Sequence, residues 1–182
     1  MNKKMQFRDL WQDAALGGIC LAAVSSIYLV ANNLLAGTEA GWAKVLTFIL
    51  DAGKIVLCIW LMRWFMVRLL NSNKDIDRQD IMRLGTMMAL CSALIYATFT
   101  MAYYTMAPDF VEETFGMLMD EMDSKLDANS LAAIENMQQS FPTFAFWGTL
   151  IYCFLFGWVL SAILSSRLIP SNPFANDTTD EN

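Results

Sequence analysis

The amino-acid sequence predicts an all-α integral membrane protein: four transmembrane helices with an extramembrane helical hairpin between helices 3 and 4. Three observations lead there. Hydrophobic residues make up 56 % of the 182 and charged residues only 16 %, with a mean hydropathy of +0.39, which is a membrane composition. The apolar residues are gathered into four blocks, Ala14–Leu35, Val45–Leu70, Ile81–Met106 and Thr143–Leu164. Each approaches or exceeds the roughly 18–20 helical residues that cross about 30 Å of hydrocarbon. Between the third and fourth blocks lies Pro108–Pro142, where eight acidic residues against a single basic one, Lys125, hold nearly all of the chain's net charge of −6. The chain therefore divides into a cytoplasmic N-terminus (1–13), a membrane domain (14–168) that includes an acidic extracytoplasmic hairpin (108–142), and a disordered cytoplasmic tail (169–182) rich in Pro, Asn and Asp.

Lys3, Lys4 and Arg8 precede the first block, with Trp11 at the expected lipid–water boundary. The block is longer than a secretory h-region and has no A-x-A site, so it reads as a retained anchor. Ala14, Gly18, Ala22 and Ser26 recur at every fourth position and form a small-residue stripe for close helix approach. The connection 36–44 is short and makes the first two helices antiparallel neighbours.

The second block holds the charges expected deepest in the bilayer, Asp51 and Lys54. Three residues apart, they share one helical face and are able to pair. Such residues either form a self-neutralising pair near the outer interface or line a polar path. Arg63 and Arg68 mark the other end, where the helix leaves the membrane.

Lys74, Arg78 and Arg83 surround the second connection and Arg167 follows the fourth block, whereas the first and third connections offer only Lys44 and Lys125. By the positive-inside rule both termini face the cytoplasm. The third block repeats the small stripe at Gly85, Ala89, Ala93 and Ala97 and ends in the aromatic anchor Tyr103–Tyr104. The fourth opens with Phe144, Phe146 and Trp147 and carries Gly157, Ser161 and Ser165 at the same spacing. Three of the four helices thus present close-packing faces, which favours a compact bundle.

Within the acidic segment, Pro108 suits a first helical turn and Asp109, Glu112 and Glu113 complement the positive helix end. Val111, Phe115, Leu118, Met122 and Leu126 form an amphipathic stripe, which continues past a turn at 127–130 through Leu131, Ile134, Met137 and Phe141. Some 35 residues alone bury too little apolar surface for stability. The stripe is accordingly the candidate interaction surface, for the protein's own bundle, a second copy, or a membrane or periplasmic partner. The acids lack the alternating ligand pattern and central glycine of a calcium loop and read as a solvated face.

Histidine is absent, which argues against haem, the usual zinc catalytic sites and imidazole acid–base chemistry. Cys20, Cys58, Cys91 and Cys153 fall one per block and read as small hydrophobes. No catalytic constellation, cofactor site or metal site is expected, and no basic patch points to nucleic acid. The leading expectation is a non-enzymatic structural or interaction module using its outward hairpin. The alternative is a small transporter or channel subunit with Asp51 and Lys54 lining a polar path.

The proline-plus-acidic start after the third span, Ala107-Pro108-Asp109-Phe110-Val111-Glu112, and the Met- and Glu-rich run MLMDEMDSKLDANSLAAIENMQQSF leading into the last resemble the DUF4199 family, small four-span membrane proteins of Bacteroidetes of unknown function. The approach to the third span, DIDRQDIMRLG, keeps Gly85 but lacks the aromatic the family frequently shows. The resemblance carries over no catalytic or ligand residue. It implies a bacterial inner-membrane location.

Overall fold

The structure is a computed structural model that describes residues 7–36, 41–72, 77–122 and 128–168. It contains five α-helices and no strand among the described residues: α1 (Phe7–Ala36), α2 (Gly41–Ser72), α3 (Arg78–Met106), α4 (Pro108–Met122) and α5 (Ala128–Leu168). Four of them, α1, α2, α3 and α5, are long and apolar enough to cross a membrane. The predicted fold class is the observed one. The proposed tail, 169–182, lies outside the described residues.

Helix α3 is the centre of the bundle and packs chiefly on α5 and α1, while α2 lies mainly against α1. The small residues explain the order. Gly157 on α5 comes so near α3 that a Cβ there would sit 2.5 Å from Ala89 Cβ. Gly18 on α1 would meet Cys91 Cβ at 2.6 Å and the Met88 carbonyl at 3.1 Å. Ala14, Ala22, Ala93, Ala97, Ser161 and Ser165 are all buried. Lipid tails are as apolar as leucine, so contact between spans must come from close backbone approach and interhelical hydrogen bonds. One such bond runs from Ser161 Oγ to the Met82 carbonyl at 3.0 Å. The α3 threonines Thr86, Thr98, Thr100 and Thr105 donate to carbonyls four residues back, at 2.8–2.9 Å, and bring no unmet hydroxyl into the bilayer.

The apolar core sits at the end of the bundle that holds the start of α1, the end of α2, the start of α3 and the end of α5, called here the terminal end. It gathers Ala14, Leu21, Met62, Phe65, Met66, Leu69, Ile81, Leu84, Met88 and Leu164. Met66 reaches Gly85 and Met88 reaches Gly17 with their terminal methyls, flexible thioethers filling gaps that glycines open. Toward the opposite, hairpin end the arrangement loosens. No residue of α2 from 45 to 61 is buried, whereas Met62, Phe65, Met66 and Leu69 are. Only α2, the one span without a small-residue stripe, is packed at one end alone; α3 stays buried toward the hairpin end through Ala93, Tyr96, Ala97 and Thr100.

Asp77 caps α3, its carboxylate accepting from the Arg78 backbone N–H at 2.7 Å. At the far end the Ala107 N–H bonds the Tyr103 carbonyl at 3.0 Å, and Pro108 starts α4 at once. The fourth span does not begin after Pro142: α5 is one helix of 41 residues with Pro142 inside it, so the second arm of the hairpin and the last span are continuous. Proline forfeits one backbone bond. Packing of the neighbouring Phe141 against Tyr104 and Phe115 holds the helix through that turn.

Replacing Gly157 with valine is expected to lower stability by about 1–3 kcal/mol through overpacking against Ala89. Gly53→Ala, with open space around it, is expected to raise stability by about 0.5–1 kcal/mol. Unfolding of the purified protein in mixed micelles checks both; equal effects at the two positions would contradict the packing described.

Candidate functional site

The charged pair of α2 lies in the opening left where α2 stands away from α3 and α5. All four spans line this cleft, whose volume is about 280 Å³. Lys54 is nine residues beyond Val45, the start of the apolar window, and hence about 14 Å along a helix crossing roughly 30 Å of hydrocarbon.

Asp51 and Lys54 take partners on other helices rather than each other. The Tyr28 hydroxyl of α1 donates to the Asp51 carboxylate and also lies 3.5 Å from the Thr47 carbonyl. The Lys54 ammonium sits 5.0 Å from the centroid of the Tyr28 ring and 4.9 Å from that of Tyr96 on α3. The one ion pair between described residues is the exposed Arg83–Asp80, 3.4 Å apart at the start of α3. The lean of helical side chains toward the N-terminus carries the Lys54 ammonium toward the hairpin end, to the level of Tyr28. There two negative ring faces stabilise it, an attraction that strengthens where water is scarce.

Tyr28 is therefore a double contact, its hydroxyl on the acid and its ring on the base. Neither Tyr28 nor Tyr96 stood out in the sequence. The available signal was their position: tyrosines favour membrane interfaces, and one placed well inside an apolar block needs a partner for its hydroxyl.

Along the bundle axis Asp51, Lys54 and Ser25 line the part of the cleft nearest the hairpin, Leu21, Cys58 and Ser92 its middle, and Met62, Ala89 and Leu160 its terminal end, with the apolar Ile55 and Phe156 among them. Cys58 and Cys153 face the cleft from α2 and α5, and all four cysteines are free thiols.

The candidate interaction stripe divides. Val111 and Phe115 of α4 are buried, at 6 % and 7 % exposure. Phe115 meets Phe141 edge-on with centroids 5.5 Å apart, and Phe141 meets Tyr104 of α3 at 5.2 Å. Tyr104 also stacks on Phe110 at 6.2 Å. This aromatic chain ties α4 to the bundle. Ile134 is partly buried, whereas Met137 is 54 % exposed. The side chains of Leu118, Met122, Leu126 and Leu131 lie outside the described part of the structure.

Helices of this length and apolarity, packed around a mainly apolar cleft that holds two charges, define a multi-pass all-α membrane protein. Its family follows from the sequence. The chain belongs to DUF4199, the proteins of unknown function whose family model matches residues 14–167. No curated protein and no solved structure matches the chain.

Tyr28→Phe is expected to cost about 0.6–2 kcal/mol of stability, the range of a side-chain hydrogen bond within a membrane. Combined with Asp51→Asn it should cost less than the two single changes added, because both remove one interaction. A double-mutant cycle in bilayers measures the coupling; strict additivity would contradict the contact. Phe115→Ala is expected to weaken docking of α4 by about 3 kcal/mol, seen as faster amide exchange in α4 with the spans unchanged.

Proposed function

We propose that this is a non-enzymatic protein of the bacterial plasma membrane that admits a small molecule into the cleft around Asp51 and Lys54, the binding element of a transporter or channel subunit. Both termini face the cytoplasm and the acidic hairpin lies outside, above the cleft mouth. The observation that carries this reading is the placement of the two charges. Intramembrane ionisable groups are costly and mark ligand or ion paths by default, and here they face a cavity shared by all four spans and contact α1 and α3 through tyrosines. The orientation is supported by Arg78 and Arg83 at the start of α3 and Arg167 at the end of α5, and by the place in the sequence of Lys3, Lys4 and Arg8 ahead of the first apolar block and of Lys74 in the second connection.

A second reading keeps the hairpin as an interaction surface, for a second protomer or for a membrane or periplasmic protein. Met137, more than half exposed on the α5 arm, favours it. The buried Val111 and Phe115 weigh against it, since this part of the stripe is covered by the protein itself.

The cleft reading is tested by thiol accessibility. A charged, water-soluble methanethiosulfonate added from the outside is expected to modify Cys58 and Cys153, which line the cleft, far faster than Cys20, on the outer surface of α1. Modification of none of these, or of Cys20 as readily as Cys58, counts against a hydrated cleft open to the outside. Reaction only from the cytoplasmic side reverses the proposed orientation.

A further inference from the structure

Building on the cleft reading, we propose that its occupant is a small anionic amphiphile, a carboxylate on a short aliphatic or aromatic body, bound with the carboxylate on Lys54 and the body directed toward Met62 and Leu160. Four features of the cleft converge on this class.

The first is the state of Lys54. An ammonium has three N–H donors and no acceptor. Against it stand two ring faces, and no carboxylate or hydrogen-bonding oxygen among the described residues. Ring quadrupoles stabilise a cation without accepting its N–H bonds in the plane of an oxygen lone pair, so the group keeps its capacity for a charge-assisted bond. A partly desolvated cation of this kind is compensated by an incoming anion.

The second is Asp51. Its carboxylate is the obvious internal counter-ion, yet it is engaged by the Tyr28 hydroxyl and makes no ion pair with Lys54 between described residues. Tyr28 thereby holds the acid on the α1 side of the mouth. Without that bond, Asp51 and Lys54 on the same face would close on each other and the ammonium would be satisfied internally.

The third is the polarity gradient. A ligand charged throughout would meet the apolar floor formed by Met62, Ala89 and Leu160, and a wholly apolar one would strand the ammonium at the mouth. Only a molecule with one polar end matches both halves. Ser25, one turn from Tyr28 on α1, lines the cleft near the level of Lys54, where a second carboxylate oxygen would lie. The fourth is size. A cavity of about 280 Å³ is just smaller than typical small-molecule pockets, which run from roughly 300 to 1,000 Å³, and suits a single short chain in place of a two-chain phospholipid. An amine of the same shape would bring a like charge to Lys54 and would find Asp51 already accepting from the Tyr28 hydroxyl.

The experiment uses the full-length protein in zwitterionic phosphatidylcholine nanodiscs, with octanoate, octanol and octylamine as probes. Protection of Cys58 and Cys153 from alkylation, quantified by mass spectrometry, reports occupancy of the cleft and is blind to probe dissolved elsewhere in the lipid. Octanoate is expected to protect both thiols at concentrations about tenfold or more below octanol, the factor of one hydrogen bond to a charged group; octylamine is expected not to protect. Lys54→Met should erase the preference for octanoate over octanol, and Lys54→Arg should keep it. Equal protection by octanoate and octanol in the wild-type protein, or a preference that survives Lys54→Met, overturns the anionic assignment while leaving the cleft in place. Protection by octylamine alone overturns it in favour of Asp51 as the recognising group. Failure of every probe to protect, with both thiols unreactive toward water-soluble reagent, removes the cleft reading itself. The wild-type comparison of the three probes stands even if a Lys54 variant does not fold. A dioleoyl phosphatidylglycerol nanodisc gives the remaining arm: protection there without octanoate identifies the anion as a lipid headgroup and overturns the small-molecule assignment.

Discussion

How closely a neighbouring helix can approach α3 determines most of what this molecule is. In lipid no hydrophobic force draws spans together, so the depth of backbone contact decides which helices adhere. Helix α3 offers two rows of small or flexible residues. Gly85 and Ala89 receive Ser161 and Gly157 of α5, while Met88, Cys91 and Ser92 receive Gly17 and Gly18 of α1. With both flanks occupied, α2 has no such surface left to dock against. It is held instead by larger side chains at the terminal end, where Met62, Phe65, Met66 and Leu69 join the core. The opening at the other end follows from this division of surfaces.

That opening is what makes two charges tolerable in an apolar span. Closed against α3 and α5, Asp51 and Lys54 would be desolvated with only each other as partners, an arrangement whose Coulombic gain seldom repays the burial. Standing off, they keep access to the cleft and reach polar partners across it. Tyr28 serves both: its phenol hydroxyl bonds the acid and its π-face lies beneath the base. A phenylalanine there would serve only the base and a serine only the acid. The side chain spans α1 and α2 along the stretch of α2 that buries nothing of its own, so the polar contacts and the cleft support one another.

Much of this was legible in the sequence, and the boundary of legibility has physical causes. The four spans follow from the length of apolar runs, a one-dimensional property. The packing order is also readable, since the three blocks with small-residue stripes, starting at Ala14, Gly85 and Gly157, are α3 and the two helices packed most closely on it. The standing-off of α2 is implicit in its lack of a stripe, although three stripes in four helices point to general compactness. Spacing showed that Asp51 and Lys54 share a face; it could not show what lies opposite, because Tyr28 and Tyr96 are 23 and 42 residues away from their partners on other helices. The start of the last span is less legible: the apolar block opens at Thr143, but the helix runs unbroken from Ala128 through Pro142, with Phe141 packed on Tyr104 and Phe115.

The continuity of α5 links two regions that the sequence presents as separate. One helix carries Met137 and Phe141 in the hairpin and then Tyr152, Cys153 and Phe156 in the wall of the cleft. A rod of this kind transmits tilt along its length, so a displacement of the hairpin and a displacement of the cleft wall are a single motion unless the helix bends. Its weakest turn is at Pro142, where a backbone hydrogen bond is missing, and the aromatic chain Tyr104–Phe141–Phe115 crosses that turn. The aromatic cluster, more than the acidic surface around it, is what joins α4 and the hairpin arm of α5 to the bundle.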